Sequence, residues 1–244
     1  MSDFLAALQF LTVTPPILRR AFSAQEMGHA VGWYPLVGLL LGLVLAGATA
    51  LLDRFFPQPV SAALTLTLWV ALTGGLHIDG FLDACDGLLG GATPERRLEI
   101  MRDHNIGAFA FSGGALLLLL KFAALTALDA TGWQVAALTV TPTLGRCAMS
   151  LALIGFPYAR PAGLGAEIKS QVRWQQVALA CTTAIVAAFF FAQWRGLIAV
   201  AVAVLTVLAV GWFTLRRIPG LTGDIYGAVC ELVELAVLLT FLSK

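Results

Sequence analysis

Charge is what this sequence is short of. Only 12% of its 244 residues are Asp, Glu, Lys or Arg, against roughly 25% in a soluble globular domain. The hydrophobic share is 59% and the mean hydropathy is +0.87. So little charge cannot cover a water-facing surface, which excludes an ordinary soluble fold and implies a lipid-embedded one. Cysteine is sparse too. Cys85, Cys147, Cys181 and Cys230 form no C-x-x-C pair, and most sit in apolar stretches where they pack as small hydrophobes, so neither a disulfide framework nor a zinc site is expected. A net charge of +1 gives no basic surface for nucleic acid. The start, Met-Ser-Asp, lacks the basic opening of a signal peptide, and its apolar run ends at Pro15-Pro16 without a small-residue cleavage pattern. This segment is expected to stay attached and lie at the membrane surface.

What the chain does have is apolar length. Windows at 31–52, 60–76, 107–128, 133–155, 175–194, 196–213 and 225–242 each approach or reach the roughly 20 residues needed to cross the hydrocarbon core. The expected fold is all-α: a polytopic transmembrane bundle of about seven spans, with short interfacial and cytoplasmic helices, forming a single domain over residues 1–244. The turn at Trp194-Arg195-Gly196 is too tight for anything but a helical hairpin. Basic residues set the orientation, because cytoplasmic loops hold the excess of Lys and Arg. With the N-terminus inside, Arg19, Arg20, Arg96, Arg97, Arg102, Arg160, Lys169, Arg173, Arg216 and Arg217 share one side, against Arg54, Arg195 and Lys244 on the other.

On the arginine-rich side lies His77-Ile-Asp79-Gly-Phe-Leu-Asp83-Ala-Cys-Asp86-Gly87. Its acids recur at i, i+4 and i+7 and share a helix face within an arc of about 60°. Three carboxylates on one stripe repel one another and call for a cation. An oxygen-only donor set suits a hard ion, so Asp79, Asp83 and Asp86 are expected to bind Mg²⁺. A merely solvated acidic face is the alternative, disfavoured because the run follows directly on the apolar Trp69–Leu76 at the membrane boundary. His77 points to the opposite face, either as the residue that begins the helix or as a substrate-binding group. Thr93 and Pro94 should start a short helix running to about His104, which leaves Asp103 as a further ligand or catalytic base.

Other charges fall within apolar helices. Arg146 must pair with a carboxylate or face a polar cavity. Arg160, in the rigid Pro157–Pro161 turn, offers a guanidinium fork matched to phosphate oxygens, although an ordinary positive-inside anchor accounts for it equally well. Asp224 and Glu231 are i, i+7 on the last span, with Gly227 close to their face. Both are catalytic candidates, whereas Glu234 is turned away by about 60°. Lys121, alone in its helix, should snorkel or pair with one of these acids. Acids from several helices with arginines at one mouth are what metal-assisted phosphoryl transfer requires.

At these residues the sequence resembles the cobalamin synthase family, the adenosylcobinamide-GDP ribazoletransferases, over essentially its whole length. The resemblance is carried by Phe10-Leu-Thr12, Trp33-Tyr-Pro-Leu-Val-Gly38, the H-x-D-G-x-x-D-x-x-D-G run at 77–87, Arg97–Asp103 with Ile106-Gly107, Gly145-Arg146, Tyr158-Ala-Arg160, and Thr222-Gly-Asp224 with Gly227-Ala228 and Glu231. It implies an enzyme of the bacterial cytoplasmic (inner) membrane, its site facing the cytoplasm, whose partners are a corrinoid nucleotide, a ribazole substrate and the lipid bilayer. The hydroxyl of α-ribazole, or of its 5′-phosphate, would attack the cobinamide-bound phosphate and release GMP. Asp79, Asp83 and Asp86 would then carry Mg²⁺ on the diphosphate, Asp103, Asp224 or Glu231 would complete the site or act as base, and Arg146, Arg160 and His77 would bind substrate. A homo-oligomer is allowed but not specified. Two other enzymes fit less well. A CDP-alcohol phosphotransferase should continue D-x-x-D-G with A-R, where this chain reads Gly87-Leu-Leu-Gly-Gly91, and a prenyltransferase should carry two aspartate-rich loops. A secondary transporter would spread its acids across the membrane depth.

Overall fold

The computed structural model describes residues 2–128 and 131–243, so Lys244 of the sparsely charged side lies outside the described residues. Among the described residues eleven α-helices follow one another: α1 (Ser2–Leu11), α2 (Ala24–Ala30), α3 (Tyr34–Leu52), α4 (Gln58–Leu72), α5 (Leu76–Gly90), α6 (Pro94–Ile100), α7 (Ala108–Leu128), α8 (Gln134–Gly155), α9 (Leu164–Gln171), α10 (Trp174–Leu215) and α11 (Gly223–Leu242). The all-α expectation holds. A single 3-10 turn, Val31–Trp33, runs α2 into α3.

Among the described residues five helical stretches are long and apolar enough to cross a membrane, or six if the bent pair α4 and α5 is one broken span. That is fewer than the seven windows, for a physical reason. The windows at 175–194 and 196–213 belong to one 42-residue element, α10, which departs from helical geometry at Gln193 (φ 47°, ψ −125°). Beyond that point it doubles back, so that a Cβ on Gly196 would collide with the carbonyl of Ala188, a residue that a straight helix would hold about 12 Å away along its axis. The tight hairpin at Trp194-Arg195-Gly196 is therefore present inside the longest helical run.

α8 is the central post, almost wholly buried, with α3, α10 and α11 packed round it. Lipid offers no hydrophobic drive for helices to associate, so close backbone approach has to do that work. Along α3, a Cβ at Gly38 would strike the Pro142 carbonyl and one at Gly42 would stand 2.5 Å from that of Leu138. These two small residues set how near α3 comes to α8.

The short second window has a related explanation. α4 ends at Leu72, and Gly74 and Gly75 both take positive φ, +60° and +70°, a conformation open chiefly to glycine. The chain there bends by 88° into α5. The acidic helix is thus not a free surface segment but is wedged between α7 and α11. Thr93 does cap α6, accepting from the Arg96 amide at 3.3 Å, although the helix stops at Ile100, short of the expected His104.

Apart from a buried charged network described below, polar contacts gather at the two ends of the bundle. At one end Asp53 accepts from Ser61 and Gln134, and Arg195 donates to the carbonyls of Phe241 and Ser243. At the other, Lys169 donates to the carbonyls of Leu153, in the last turn of α8, and of Phe156 just after it, in the segment that leads to the Arg160 turn. This second end holds the features described next.

Candidate active site

Two glycines draw α5 onto the start of α11. A Cβ at Gly80 would lie 2.9 Å from the Asp224 carbonyl oxygen, and one at Gly227 would lie 3.0 Å from that of His77. Each helix therefore touches the other's backbone where a side chain is missing. That contact brings Asp79 and Asp224 to one cavity, while Asp83, one turn along α5, does not line it but is close enough to both for their charges to act on it. Carboxylates about 140 residues apart in sequence thus become a single acidic group.

Arg160 is brought to the same place by the backbone. Leu221 N donates to the Pro157 carbonyl and Ala159 N to the Leu221 carbonyl, both at 2.8 Å, which staples the Pro157–Pro161 turn to the segment before α11. From there Arg160 Nη2 donates to Asp224 Oδ2 at 3.0 Å. The Thr222 hydroxyl donates to that oxygen at 3.1 Å and accepts from the Ile225 amide as the cap of α11. Asp79, Asp224, Arg160 and Arg102 line a cavity of about 480 Å³ that opens at this end. The arrangement suits a polyanion held through cations, with carboxylates present to bind a metal or accept a proton.

Other candidates lie elsewhere. Asp86 faces away from the cavity: Oδ2 accepts from the Gly107 amide at 2.6 Å and Oδ1 from the Ala110 amide at 2.8 Å. Both oxygens satisfy the free N–H groups at the start of α7, where a carboxylate also complements the helix dipole. Asp86 is thus a helix anchor, at odds with its expected place in the metal stripe. Its i+7 position gave it the right face, but α7 occupies the end of that face. Replacing Asp86 with alanine should cost about 1–2 kcal/mol of stability, read as a lower melting temperature in detergent.

Asp103 is exposed and accepts from the backbone and side-chain nitrogens of Asn105, at 3.1 and 2.7 Å. These bonds hold its carboxyl below the usual range, which makes it a weak proton acceptor, and it does not line the cavity.

Arg146, Glu231 and His77 belong to a buried network beneath the site. Lys121 Nζ bonds Glu231 Oε2 and Glu234 Oε2, each at 2.5 Å, and lies 4.9 Å from the centre of the Trp69 ring. Glu234 also pairs with Arg146, whose Nη2 sits 3.3 Å from His77 Nδ1. All are at most 5% exposed. Arg146 therefore takes the carboxylate-partner alternative rather than an anion at the mouth, and Glu231 is a counter-ion, not a cavity acid. Lys121 pairs rather than snorkels. Glu234, set aside on its angle, is the centre of the network, because two cations approach it from different helices and a single-helix projection cannot register that. Of these residues only His77 also borders the cavity.

Sequence reasoning missed the aromatic wall. Phe10 and Tyr34 stack at 6.2 Å between centroids, as do Tyr158 and Tyr226, and all four rings border the cavity. Tyr158 and Phe10 stand in segments already conspicuous for Arg160 and for the N-terminal apolar run, but no spacing rule joins residues 10, 34, 158 and 226.

Fold and site together define a polytopic helical membrane protein with an acid- and guanidinium-lined cavity at one end, the kind that handles a charged substrate at the bilayer surface. The chain belongs to the cobalamin-5-phosphate synthase family, whose model it matches over residues 3–242. It is 42% identical to an adenosylcobinamide-GDP ribazoletransferase of Pseudomonas savastanoi pv. phaseolicola, over 98% of both chains. It is 41% identical to one of Pseudomonas putida, again over 98% of both, and 40% identical to one of Desulfitobacterium hafniense, over 96% of this chain and 93% of that one. No solved structure matches.

Proposed function

We propose that this protein joins adenosylcobinamide-GDP to α-ribazole, or to α-ribazole 5′-phosphate, giving adenosylcobalamin or its 5′-phosphate and GMP. The observation that carries this reading is the cavity in which acids of α5 and α11 face Arg160 and Arg102, in a chain that matches its family almost from end to end.

Asp79 and Asp224 at the cavity and Asp83, one turn along α5, offer carboxylate oxygens, which suit a hard cation, and these are the residues that would hold Mg²⁺. Among the described residues no three His, Cys, Asp or Glu side chains already close round an ion. A magnesium ion there would keep waters and take further ligands from substrate phosphates. Bound there, the ion would neutralise the diphosphate as charge moves to the leaving group. Arg160 and Arg102 bind phosphate oxygens. A cavity carboxylate takes the proton from the ribazole hydroxyl as its oxygen bonds to the corrinoid-side phosphorus. The bond from that phosphorus to the bridging oxygen breaks, and GMP departs with its charge held by the arginines. The arginine-rich end faces the cytoplasm by the positive-inside rule, with the bundle in the bacterial inner membrane.

Proteoliposomes supplied with adenosylcobinamide-GDP, α-ribazole and Mg²⁺ should release GMP only when all three are present. No GMP, together with ion flux in sealed vesicles, would replace this reading with a transporter.

A further inference from the structure

We infer that the cavity is the seat of the ribazole nucleoside, its base lying against the aromatic and apolar wall, and that the corrin ring stays outside it. The inference rests on the transferase reading and assigns its two substrates to different places.

Size comes first. A volume of about 480 Å³ lies in the range of pockets that enclose one small organic molecule. It holds a nucleoside, whereas a corrin macrocycle with its amide arms is several times bulkier. Such a ring can only rest at the mouth, with its phosphate tether reaching in.

The two walls differ in chemistry. Asp79, Arg102, Arg160 and Asp224 come from α5, the α6–α7 turn, the Pro157–Pro161 turn and α11, and they make the side suited to phosphate. Phe10, Tyr34, Met149, Leu153 and Ile168 come from α1, α3, α8 and α9 and make an apolar side, and Tyr158, stacked on Tyr226, adds its ring to the lining. A flat ring system gains by lying on such rings.

That side also discriminates between the two bases in the reaction. Guanine carries a carbonyl acceptor and amine donors on its edge, which would be left unpaired against Met149, Leu153 and Ile168, and burying unpaired polar groups is costly. The methylated benzimidazole of ribazole has no exocyclic donor or acceptor. Guanosine is thereby left at the outer, charged side, where GMP can depart.

The test uses the full-length protein in nanodiscs. Tyr158→Leu removes one ring, and Met149→Phe adds bulk to the apolar side without touching the charged one. Both should raise KM for α-ribazole by about tenfold or more, the scale of one lost stacking contact, and leave KM for adenosylcobinamide-GDP within about twofold. Independently, an azidobenzimidazole riboside photolysed on the wild-type protein should label cavity residues, Tyr158, Tyr226 or Met149 among them, and excess α-ribazole should prevent it. Variants that raise KM for the corrinoid nucleotide instead, variants that change neither KM, or labelling confined to other faces would each overturn the inference while leaving the transferase reading intact. Failure of the wild-type protein to form GMP would instead overturn that reading itself.

Discussion

Asparagine in place of Asp83 is expected to lower GMP formation at saturating substrates by about 100-fold or more, the effect of losing several kcal/mol of charge stabilisation at a phosphoryl-transfer centre. Asp83 is half-buried, close enough to Asp79 and Asp224 for their charges to act on it, and makes no hydrogen bond among the described residues. The amide has the same shape, so the fold should not suffer, and removing one of three mutually repelling carboxylates should leave the melting temperature equal or raise it. Loss of activity at unchanged stability is the signature of a functional acid. The Mg²⁺ concentration giving half-maximal activity should rise in parallel. A purified Asp83→Asn protein with wild-type turnover and an unaltered magnesium requirement would remove α5 from the chemistry.

Glu234 should behave in the opposite way. It is fully buried and pairs with both Lys121 and Arg146, and Glu231 supplies the other negative charge. Two cations and two anions thus balance in the middle of the bundle. Glu234→Gln leaves two cations sharing one carboxylate where water cannot reach. Breaking a buried pair from one side costs about 3–5 kcal/mol, so a large fall in melting temperature or failure to recover folded protein is expected. Neutralising Arg146 as well, as Met, leaves the balanced pair Lys121 and Glu231, and the double variant should be clearly more stable than Glu234→Gln alone. Additive losses, measured by unfolding in detergent, would argue against the pairing.

These two acids mark where sequence stops and tertiary structure begins. Asp83 was legible because its partner Asp79 lies four residues away on the same helix, and helical periodicity is a local property that needs no knowledge of the rest of the chain. For the same reason the scarcity of charge, the apolar windows and the hairpin at Trp194 were readable at once, and the motifs from Phe10 to Glu231 carried the family resemblance. Asp86 shares the stripe of Asp79 and Asp83 yet serves α7, because a helix face does not say which neighbour covers it. Asp224 and Glu231 share a face of α11, and one turn pair of depth separates a cavity acid from a buried counter-ion.

By itself, then, the sequence determined that this is a helical membrane protein and that the stripe begun by Asp79 and Asp83 is acidic on one side. Composition and short-range spacing suffice for those. Only the tertiary structure decided which acids meet. The glycines at 80 and 227 let α5 and α11 touch backbone to backbone and so create the trio of Asp79, Asp83 and Asp224, and the stapled Pro157–Pro161 turn delivers Arg160 to it. The stacked tyrosines and the network centred on Glu234 likewise come from helices distant in the chain. Contacts of that kind are fixed by how whole helices pack, which no local pattern encodes.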